Sequence, residues 1–270
     1  DTWCEVTSMA TERRGHSAAA LGGKLYVMGG YDDRDTTLDA AEVYDPKADS
    51  WQPLPSMPTA RKYFAAVAVA GKVYAIGGTL TSTKEKNCDA VEAYDPLSNA
   101  WTRVASLPEA RSCHTAAVVD GKIYVVGGDL DDADGEEVVT DRVDVYDPVA
   151  DSWQQLAAMP TARNSHAAAV VDSKIYVSGG YTTSGALSVA FEAYDPVTNT
   201  WTTMASLSQR RAEHASAAFK GKLCVFCGWM GGQGDRSHLV EIYSPASNSW
   251  ARAVDMPFAA ESDNVVAVAL

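Results

Sequence analysis

Short runs of apolar residues recur along this chain between polar turns, and one set of runs represents the rest. In the set that begins at Arg111, residues 114–119 are apolar with small side chains, and residues 122–126 alternate up to a pair of glycines. After a polar loop, residues 142–146 alternate again, and residues 153–156 form a last short run. Runs of this length and period predict four β-strands, which we name a, b, c and d in chain order.

The turns between these runs predict antiparallel neighbours. Strands c and d are separated by an Asp-Pro turn in four sets and by Ser244-Pro245 in the fifth. Strands a and b are separated by two residues in every set, the commonest length for a β-hairpin loop. The two-residue turns are Gly22-Gly23, Ala70-Gly71, Asp120-Gly121, Asp172-Ser173 and Lys220-Gly221.

The set occurs five times, and each copy carries the same marker residues. The arginine before strand a is Arg13, Arg61, Arg111, Arg163 or Arg211. The glycine pair after strand b is Gly29-Gly30, Gly77-Gly78, Gly127-Gly128 or Gly179-Gly180, with Cys227-Gly228 in the fifth copy. The tryptophan of strand d is Trp51, Trp101, Trp153, Trp201 or Trp250. The distance along the sequence from the arginine to the first glycine position is 16 residues in every copy. The distance from that position to the tyrosine of strand c varies from 15 to 19 residues. Constant spacing predicts paired strands, and variable spacing predicts a loop.

Repetition of a four-stranded unit predicts an all-β fold, a β-propeller. A unit of this size cannot bury both of its faces alone, but units arranged radially bury them against each other. Alanines such as Ala167-Ala168-Ala169 fall in strand a, where small side chains suit the narrow inner end of a wedge. Tyrosines and tryptophans fall in strands c and d, at its wide end. We expect the glycines to allow close backbone approach beneath those aromatic residues.

We interpret the chain as one propeller domain of five repeats with flanking half-blade strands in residues 1–12 and 260–270. The repeats are 13–60, 61–110, 111–162, 163–210 and 211–259. Residues 2–7 read as a lone strand d and residues 264–270 as a lone strand a. This predicts a six-bladed ring whose remaining two strands would precede Asp1; the alternative is a five-bladed ring. Ala260 and Asp263 replace an expected arginine and histidine in the last copy.

Composition narrows the classes of partner. The chain has 270 residues, of which 46% are hydrophobic, as in ordinary globular proteins. A net charge of -13 argues against nucleic acid and against anionic membrane surfaces. Five cysteines are too few and odd in number for a secreted disulfide framework, so we expect a cytoplasmic protein. Cys224 and Cys227 lie three apart on a strand and point to opposite faces, so we expect neither metal nor other cofactor there.

These markers resemble the kelch repeat family. Its signature of Arg, a His three residues later, Tyr-x-x-Gly-Gly, Tyr-Asp-Pro and Trp covers almost the whole chain, and its period of about 50 matches arginine spacings of 48 to 52. The resemblance implies a kelch-type propeller of four-stranded blades. In kelch domains of BTB- and F-box-type ubiquitin-ligase adaptors, partner peptides bind the face formed by the b–c and d–a loops. Here that face also carries the length variation.

The resemblance also assigns contact positions on the b–c/d–a face, namely the residue after the glycine pair and the two after the repeat arginine. The first set is Tyr31, Thr79, Asp129, Tyr181 and Trp229. The second set, which follows the repeat arginine, is Arg14, Lys62, Tyr63, Ser112, Asn164 and Ser165. The aromatic members suit an interface, since hot spots favour Tyr and Trp. The alternative is that they cover the edge of the channel mouth.

Loop charge suggests the chemistry of the partner. Residues 129–137 and the first b–c loop are rich in aspartate and glutamate, which favours a basic peptide. A solvated acidic loop is the alternative. Calcium is a third option, but a calcium-loop frame set on Gly135 places Leu130 at the first ligand position.

Other recurring residues are interpreted as structural. The repeat arginines are expected to bond backbone carbonyls between blades. His16, His114, His166 and His214 recur three residues after the arginines and are expected to ring the channel mouth rather than bind a metal. Reactive thiols at Cys88 and Cys113, with Lys84 and Lys86 near Cys88, are a lesser alternative.

Two classes of function fit this sequence. We favour a protein-binding module without enzyme activity, for example the substrate receptor of a cullin-type ubiquitin ligase. The alternative is a kelch-type enzyme at the channel mouth: a sugar mutarotase or epimerase, a thiohydroximate-processing specifier protein or a copper-radical oxidase. The polar side chains available to it are those of Arg14, Glu213, His214 and Asp263. The sequence shows no set of paired Tyr and Cys with two His for a radical copper site.

Overall fold

Five four-stranded antiparallel sheets make up most of the regular structure in the described residues. The computed structural model describes residues 3–80, 86–231, 236–257, 266–267 and 269. Each sheet has its strands in the order a-b-c-d, and each corresponds to one sequence repeat. The expected all-β, kelch-type propeller architecture is confirmed. Among the described residues, no helix is long and apolar enough to cross a membrane.

The strands follow one another in chain order. The first blade contains β1 (Ser17–Leu21), β2 (Lys24–Met28), β3 (Ala41–Asp45) and β4 (Ser50–Leu54). The second contains β5 (Ala65–Val69), β6 (Lys72–Ile76), β7 (Thr79–Leu80), β8 (Lys86–Asn87), β9 (Val91–Asp95) and β10 (Ala100–Arg103). The third contains β11 (Arg111–Ser112), β12 (Thr115–Val119), β13 (Lys122–Val126), β14 (Asp129–Asp131), β15 (Glu137–Val139), β16 (Val143–Asp147) and β17 (Ser152–Gln155).

The fourth and fifth blades complete the described strands. The fourth contains β18 (Arg163–Asn164), β19 (Ala167–Val171), β20 (Lys174–Ser178), β21 (Tyr181–Thr182), β22 (Phe191–Asp195) and β23 (Thr200–Thr203). The fifth contains β24 (Ala215–Phe219), β25 (Lys222–Phe226), β26 (Val240–Ser244) and β27 (Ser249–Arg252). The short strands β7, β8, β11, β14, β15, β18 and β21 pair with one another on the b–c/d–a side.

Strand a of every blade faces a central channel. The channel has a volume of about 500 Å³, and its wall consists largely of alanines from β1, β5, β12, β19 and β24. Val266, Ala267 and Ala269 line it too. Small side chains suit this inner position because the strands converge there.

The outer strands pack through a tyrosine–tryptophan pair in each blade. Tyr94 of β9 lies directly opposite Trp101 of β10, and their ring centroids are 5.3 Å apart. The indole Nε1 of Trp101 donates to the carbonyl of Pro55, which follows strand d of the first blade, at 2.9 Å. Equivalent bonds from Trp153, Trp201 and Trp250 fasten each blade to the one before it.

The glycine pairs lie at the inter-blade junction and not beneath the aromatic residues, which corrects the expectation above. A Cβ on Gly127 would lie 2.6 Å from the carbonyl oxygen of Arg163 in the next blade. A Cβ on Gly128 would lie 2.3 Å from the carbonyl oxygen of Ser112. The amide of Gly128 donates to the Arg163 carbonyl at 2.9 Å. The first glycine therefore leaves room for a carbonyl of the next blade, and the second leaves room for a carbonyl of its own repeat. The spacing of the glycines in the sequence does not show which carbonyls these are.

The N-terminal segment takes the place of a strand d beside the first blade without forming a regular strand. Trp51 Nε1 donates to the carbonyl of Thr7 at 2.8 Å, as Trp101 does to Pro55. Residues 3–9 nevertheless have no regular strand conformation, so the predicted lone strand in residues 2–7 is wrong for the part that is described. No strand c stands beside this segment among the described residues, so it has no ladder to join.

The outward face of the fifth blade is more exposed than the same face of the other blades. Phe219 is 58% exposed, whereas Val171, at the same position of the fourth blade, is 4% exposed. The ring of Trp3 packs edge-on against Phe226 at 6.4 Å. This exposure favours a sixth blade position, and the blade count stays a prediction. The predicted strand over residues 264–270 falls mostly outside the described residues, as do Ala260 and Asp263.

Substitution of one glycine tests the junction. Gly128→Ala places a Cβ against the Ser112 carbonyl, and we expect it to reduce the free energy of unfolding by about 3 kcal/mol or more. Gly121→Ala is the control, because Gly121 also has a positive φ but no atom within 4 Å of an added Cβ. It should cost about 1 kcal/mol. Urea unfolding measures both, and equal losses would contradict the close-approach explanation.

Candidate functional site

A buried arginine–carboxylate pair supports the b–c loop of each repeat. Arg163 donates from Nη1 to the carbonyls of Gly179 and Ala190, at 3.0 and 3.1 Å, and from Nη2 to Glu192 at 2.7 Å. Both side chains are buried. These carbonyls belong to the same repeat as the arginine, so the predicted side-chain bonds between blades are wrong. It is the backbone that crosses: the Gly180 amide donates to the Arg211 carbonyl at 2.8 Å.

The carboxylate of this pair was missed by sequence reasoning. It stands two residues before the strand c tyrosine in every copy, which is the signal that identifies it. The carboxylates are Glu42, Glu92, Asp144, Glu192 and Glu241. In the third copy the shorter Asp144 also binds Arg142, whose Nε lies 2.7 Å from it.

Five residues, joined by four backbone hydrogen bonds, form an open arc around the channel mouth on the b–c/d–a face. Each stands two residues after a repeat arginine, and each has a positive φ between 48° and 58°. The amide of one donates to the carbonyl of the preceding one at 2.9 Å in all four links. We name them the mouth ring: Gly15, Tyr63, Cys113, Ser165 and Glu213.

The mouth ring surrounds a cavity of about 280 Å³, which we call the vestibule. Its upper wall is formed by Tyr63, Cys113, Ser165 and Glu213. One residue further along each repeat, a second ring forms its floor. The floor residues are His16, Phe64, His114, His166 and His214.

The floor histidines are neutral at physiological pH. Burial, assisted by the nearby repeat arginines, lowers the pKa of His16 to about 4 and those of His114 and His166 to about 3. His214 is shifted in the same direction for the same reasons. His166 Nε2 lies 3.0 Å from Thr115 Oγ1. Within the described ranges, no group of three or more His, Cys, Asp or Glu side chains is arranged to hold a metal ion.

The two predicted sets of contact residues meet as antiparallel pairs around the rim. The Arg14 amide donates to the Tyr31 carbonyl at 2.9 Å, and the Tyr31 amide returns the bond at 2.8 Å. The same pairing recurs in each blade. The other pairs are Lys62–Thr79, Ser112–Asp129, Asn164–Tyr181 and Ala212–Trp229.

Four of the predicted contact residues turn inward. Tyr31, Thr79, Ser112 and Asp129 are all less than 8% exposed, so they offer a partner little surface, contrary to the prediction. Strand pairing on the rim decides which side chains face inward, and the linear sequence does not reveal that pairing. The others are exposed or half-buried: Arg14, Lys62, Tyr63, Asn164, Ser165, Tyr181 and Trp229.

Blades one and two form a corner of the rim in which basic side chains lie beside aromatic rings and aspartates. The Lys62 ammonium lies 5.1 Å from the ring centre of Tyr31 and 5.3 Å from that of Tyr63. Cation–π attraction at these distances orders the lysine. Arg14 pairs with Asp33 at 3.0 Å. In the fifth blade, Arg236 lies 5.8 Å from the ring of Trp229.

The acidic segment of blade three is partly engaged in its own structure. Asn164 Nδ2 donates to both carboxylate oxygens of Asp129, at 2.7 and 2.8 Å, while burial raises the pKa of Asp129. Asn87 Nδ2 donates to Asp131 at 2.7 Å and so ties the second blade to the third. Asp132 accepts the amides of Asp134 and Glu136, both at 2.9 Å. These bonds engage Asp129, Asp131 and Asp132 within the fold.

The side chains considered for catalysis and thiol chemistry are dispersed. Glu213 and His214 line the vestibule, Arg14 lies on the rim, and Asp263 and Lys84 fall outside the described residues. Burial, assisted by Asp129, raises the pKa of Cys113 to about 12, so this group stays a thiol. Cys88 is buried.

Family models and curated proteins resemble this sequence. The beta-propeller domain of calicin matches residues 1–161, and the kelch motif matches residues 162–208 and 210–257. Kelch-like protein 21 of Rattus norvegicus is 51% identical over 47 residues, which are 17% of this chain and 8% of that protein. Kelch-like protein 15 of Danio rerio is 47% identical over 45 residues, with the same two shares. The matched segment thus spans a small part of these relatives.

Similarity of fold extends over nearly the whole chain. The solved structure titled "Structure of YjhT" superimposes with a TM-score of 0.83, covering 97% of this chain and 89% of that one. The sequence identity is 16%, so this likeness concerns the fold alone.

The floor histidines predict acid sensitivity. His114 has a folded pKa of about 3, well below its unfolded value of about 6.5, so the unfolded chain takes up a proton first as pH falls. Stability is therefore lost below about pH 6.5, by about 2 kcal/mol for this residue between pH 7 and pH 5. His114→Phe, which copies Phe64 of the second blade, should reduce that loss by about this amount. Phe64→His should increase it. Urea unfolding at both pH values measures the effect, and unchanged pH dependence in both variants would refute it.

Proposed function

Because this chain belongs to the kelch repeat family, we propose that it is a protein-interaction module that binds a partner peptide or protein on the b–c/d–a face of the propeller. Relatives named Kelch-like proteins support this class of function. The likeness to them covers one repeat's length, so the identity of the partner does not follow from it.

The difference between the two faces of the disc carries this proposal. On the b–c/d–a face, half-buried Tyr63 lines the vestibule together with polar side chains, and half-buried Tyr181 and Trp229 lie on the rim. Large, rigid aromatic side chains with a polar end are typical of binding hot spots. On the opposite face, two-residue a–b turns alternate with uniform c–d turns, in which an aspartate such as Asp95 accepts the backbone amide of Leu97 at 2.9 Å.

Charge on the b–c/d–a face favours an oriented partner. On blades one and two, Lys62 lies against aromatic rings and Arg14 is paired with Asp33 of the first b–c loop, whereas residues 131–137 on blade three are exposed and mainly acidic. We propose that the partner places a basic segment over blade three. Opposite charges arranged in this way steer association and fix its direction more than they add affinity.

A finer proposal concerns the assembly that contains the propeller. By its resemblance to BTB- and F-box-kelch adaptors, we propose that the chain selects substrates for a cullin-type ubiquitin ligase. Affinity purification of the full-length protein tests this. Recovery of a cullin supports the proposal, and recovery of partners without any cullin contradicts it while leaving the binding function intact.

Removal of the half-buried aromatic side chains on the rim tests the binding face. Tyr181→Ala combined with Trp229→Ala should reduce partner capture in proximity labelling at least tenfold, because each removes a large anchor from the rim. The control is Leu97→Ser combined with Val149→Ser, two residues on the opposite face that are each 97% exposed. Both double variants should unfold within about 1 kcal/mol of the wild type.

The comparison between the two double variants decides the face. Capture that is unchanged in the rim variant, or lost equally in both, contradicts the proposed face. If added salt strengthens capture, a basic partner segment is contradicted, because screening weakens attraction between opposite charges.

A further inference from the structure

The strand c carboxylate of each blade has a second oxygen besides the one that takes the repeat arginine, and in two blades a threonine donates to it. In the fourth blade, Thr161 Oγ1 donates to Oε1 of Glu192 at 2.9 Å. In the second, Thr59 Oγ1 donates to Oε1 of Glu92 at 2.6 Å. Both threonines stand two residues before the repeat arginine. Such donors replace the water that a buried carboxylate loses on folding.

The first and third blades supply other donors to this carboxylate. Glu42 accepts the backbone amides of Ala10 and Thr11, at 3.1 and 3.2 Å. Asp144 accepts from Arg142, whose Nη2 lies 3.0 Å from Oδ1. In these four blades, therefore, the protein itself provides a short hydroxyl bond, two amides or a second guanidinium group.

The fifth blade leaves its carboxylate less completely bonded. Oε2 of Glu241 takes Arg211 at 2.6 Å. Among the described residues, Oε1 accepts only the backbone amide of Ser208, and the distance is 3.3 Å. Gln209 stands at the position of the two threonines and has no hydroxyl group to donate. Glu241 is only 3% exposed, so this oxygen has lost most of its water and has gained one weak bond in exchange.

A cavity of about 550 Å³ adjoins this carboxylate on the strand d side of the fifth blade, and we name it the outer pocket. Arg252 and Asp255 stand together in its wall as an ion pair. The equivalent groove of the first blade has a volume of about 330 Å³ and carries Pro53 and Ser56 at those two positions. The outer pocket is therefore larger than this counterpart and richer in polar groups. Its lining includes Gln209, His238, Glu241, Trp250, Arg252 and Asp255.

The carboxylates and guanidinium groups at the outer pocket are already matched in number. Glu241 pairs with Arg211, and Asp255 pairs with Arg252. An added anion would meet two carboxylates on the lining against one guanidinium group, and an added cation would leave a positive charge without a partner. A neutral hydroxyl would give Oε1 of Glu241 the bond that threonine gives in the second and fourth blades. This balance favours a neutral ligand that donates hydrogen bonds.

The remaining wall fits a ring that carries several hydroxyl groups. The guanidinium group of Arg252 donates, the carboxylate of Asp255 accepts, and the amide of Gln209 does both. Adjacent hydroxyl groups also donate and accept, so they match this set. The indole of Trp250 contributes apolar surface, which suits the C–H groups of a sugar ring. The volume falls within the range of about 300–1,000 Å³ that is typical of ligand pockets.

We propose that the outer pocket binds a neutral pyranose sugar, one hydroxyl of which donates to Oε1 of Glu241. Tyr181 and Trp229 of the rim and the residues of the vestibule are not part of this lining, so the site adds a second binding function to the proposed one. The same ring occurs as a free sugar and at the end of a glycan on another protein, so the test separates these two sources.

Sugars that share a ring and differ in charge test the site. Methyl pyranosides of glucose, galactose, mannose and N-acetylglucosamine are titrated into the 270-residue chain and followed by saturation-transfer NMR. At least one of them should bind, and its uronic acid and amino sugar counterparts should bind at least tenfold more weakly. Binding of none of these pyranosides, or equal binding of a charged counterpart, overturns the proposal.

One substitution fills the place of the ligand hydroxyl. Gln209→Thr supplies a hydroxyl group from within the fold, as Thr161 does in the fourth blade, so sugar binding should weaken at least tenfold. The urea midpoint should stay the same or rise, because the carboxylate gains a donor. Gln154→Thr makes the same change at an exposed position of strand d in the third blade and should leave binding unchanged. Unchanged binding in Gln209→Thr, or equal loss in Gln154→Thr, overturns the assignment.

A second variant keeps the test decisive if Gln209→Thr folds poorly. Arg252→Ala removes a side chain that is 69% exposed, so the chain should fold normally and bind the sugar at least tenfold more weakly. Normal sugar binding in this variant overturns the assignment. The Tyr181→Ala/Trp229→Ala variant should bind the sugar as the wild type does, and loss of binding there contradicts the placement of the site.

A last comparison identifies the source of the sugar. The pyranoside that binds most tightly is compared with a glycopeptide that ends in the same sugar. Equal or tighter binding of the glycopeptide supports a glycan on a partner protein. At least tenfold preference for the free pyranoside supports a small-molecule ligand.

Discussion

A buried guanidinium group, satisfied on three sides, is the interaction on which the rest of this propeller depends. Arg163 spans two carbonyls of its b–c loop and a carboxylate of strand c, so one side chain fixes where strand b ends and where strand c begins. A buried arginine without partners would cost several kcal/mol, and its planar fork of donors suits this set of acceptors. In four copies the arginine Nη1 donates to the carbonyl of the residue 16 positions later, the first of the glycine pair or Cys227. Arg111 has the same spacing and its own carboxylate, but among the described residues its Nη1 makes no such bond.

Once that loop base is fixed, the b–c/d–a face becomes tolerant of variation. The residues between the two carbonyls differ in number from copy to copy, yet the strands on either side keep their register. The third copy shows how far the arrangement adapts: Asp144 is one methylene shorter than glutamate, and Arg142, at the end of the same b–c loop, also pairs with it. The arginine–carboxylate contact therefore keeps the strands alike in all five copies and at the same time allows the b–c loops to differ.

The sequence predicted the fold well because the fold is governed by spacing and alternation. The third-copy strands expected at residues 114–119 and 142–146 are observed at Thr115–Val119 and Val143–Asp147. The site was predicted less completely. Repeat alignment identified the rim positions, but whether Tyr31 or Tyr181 faces solvent depends on pairing between loops far apart in sequence. The partner carboxylates went unnoticed because an acidic residue in a strand ordinarily reads as a solvent-facing position.

The positive-φ position of the mouth ring has a consequence for how such a protein diverges. Each repeat has one such position. Glycine adopts its backbone conformation without strain, and any other residue there adds a side chain to the vestibule. The hydrogen bonds that join these positions use backbone atoms only, so they do not depend on which side chain is present. The residue at each of the five positions can therefore change without affecting the other four. After gene duplication, single substitutions at these positions can change the side chains at the propeller axis one by one, with little effect on the fold.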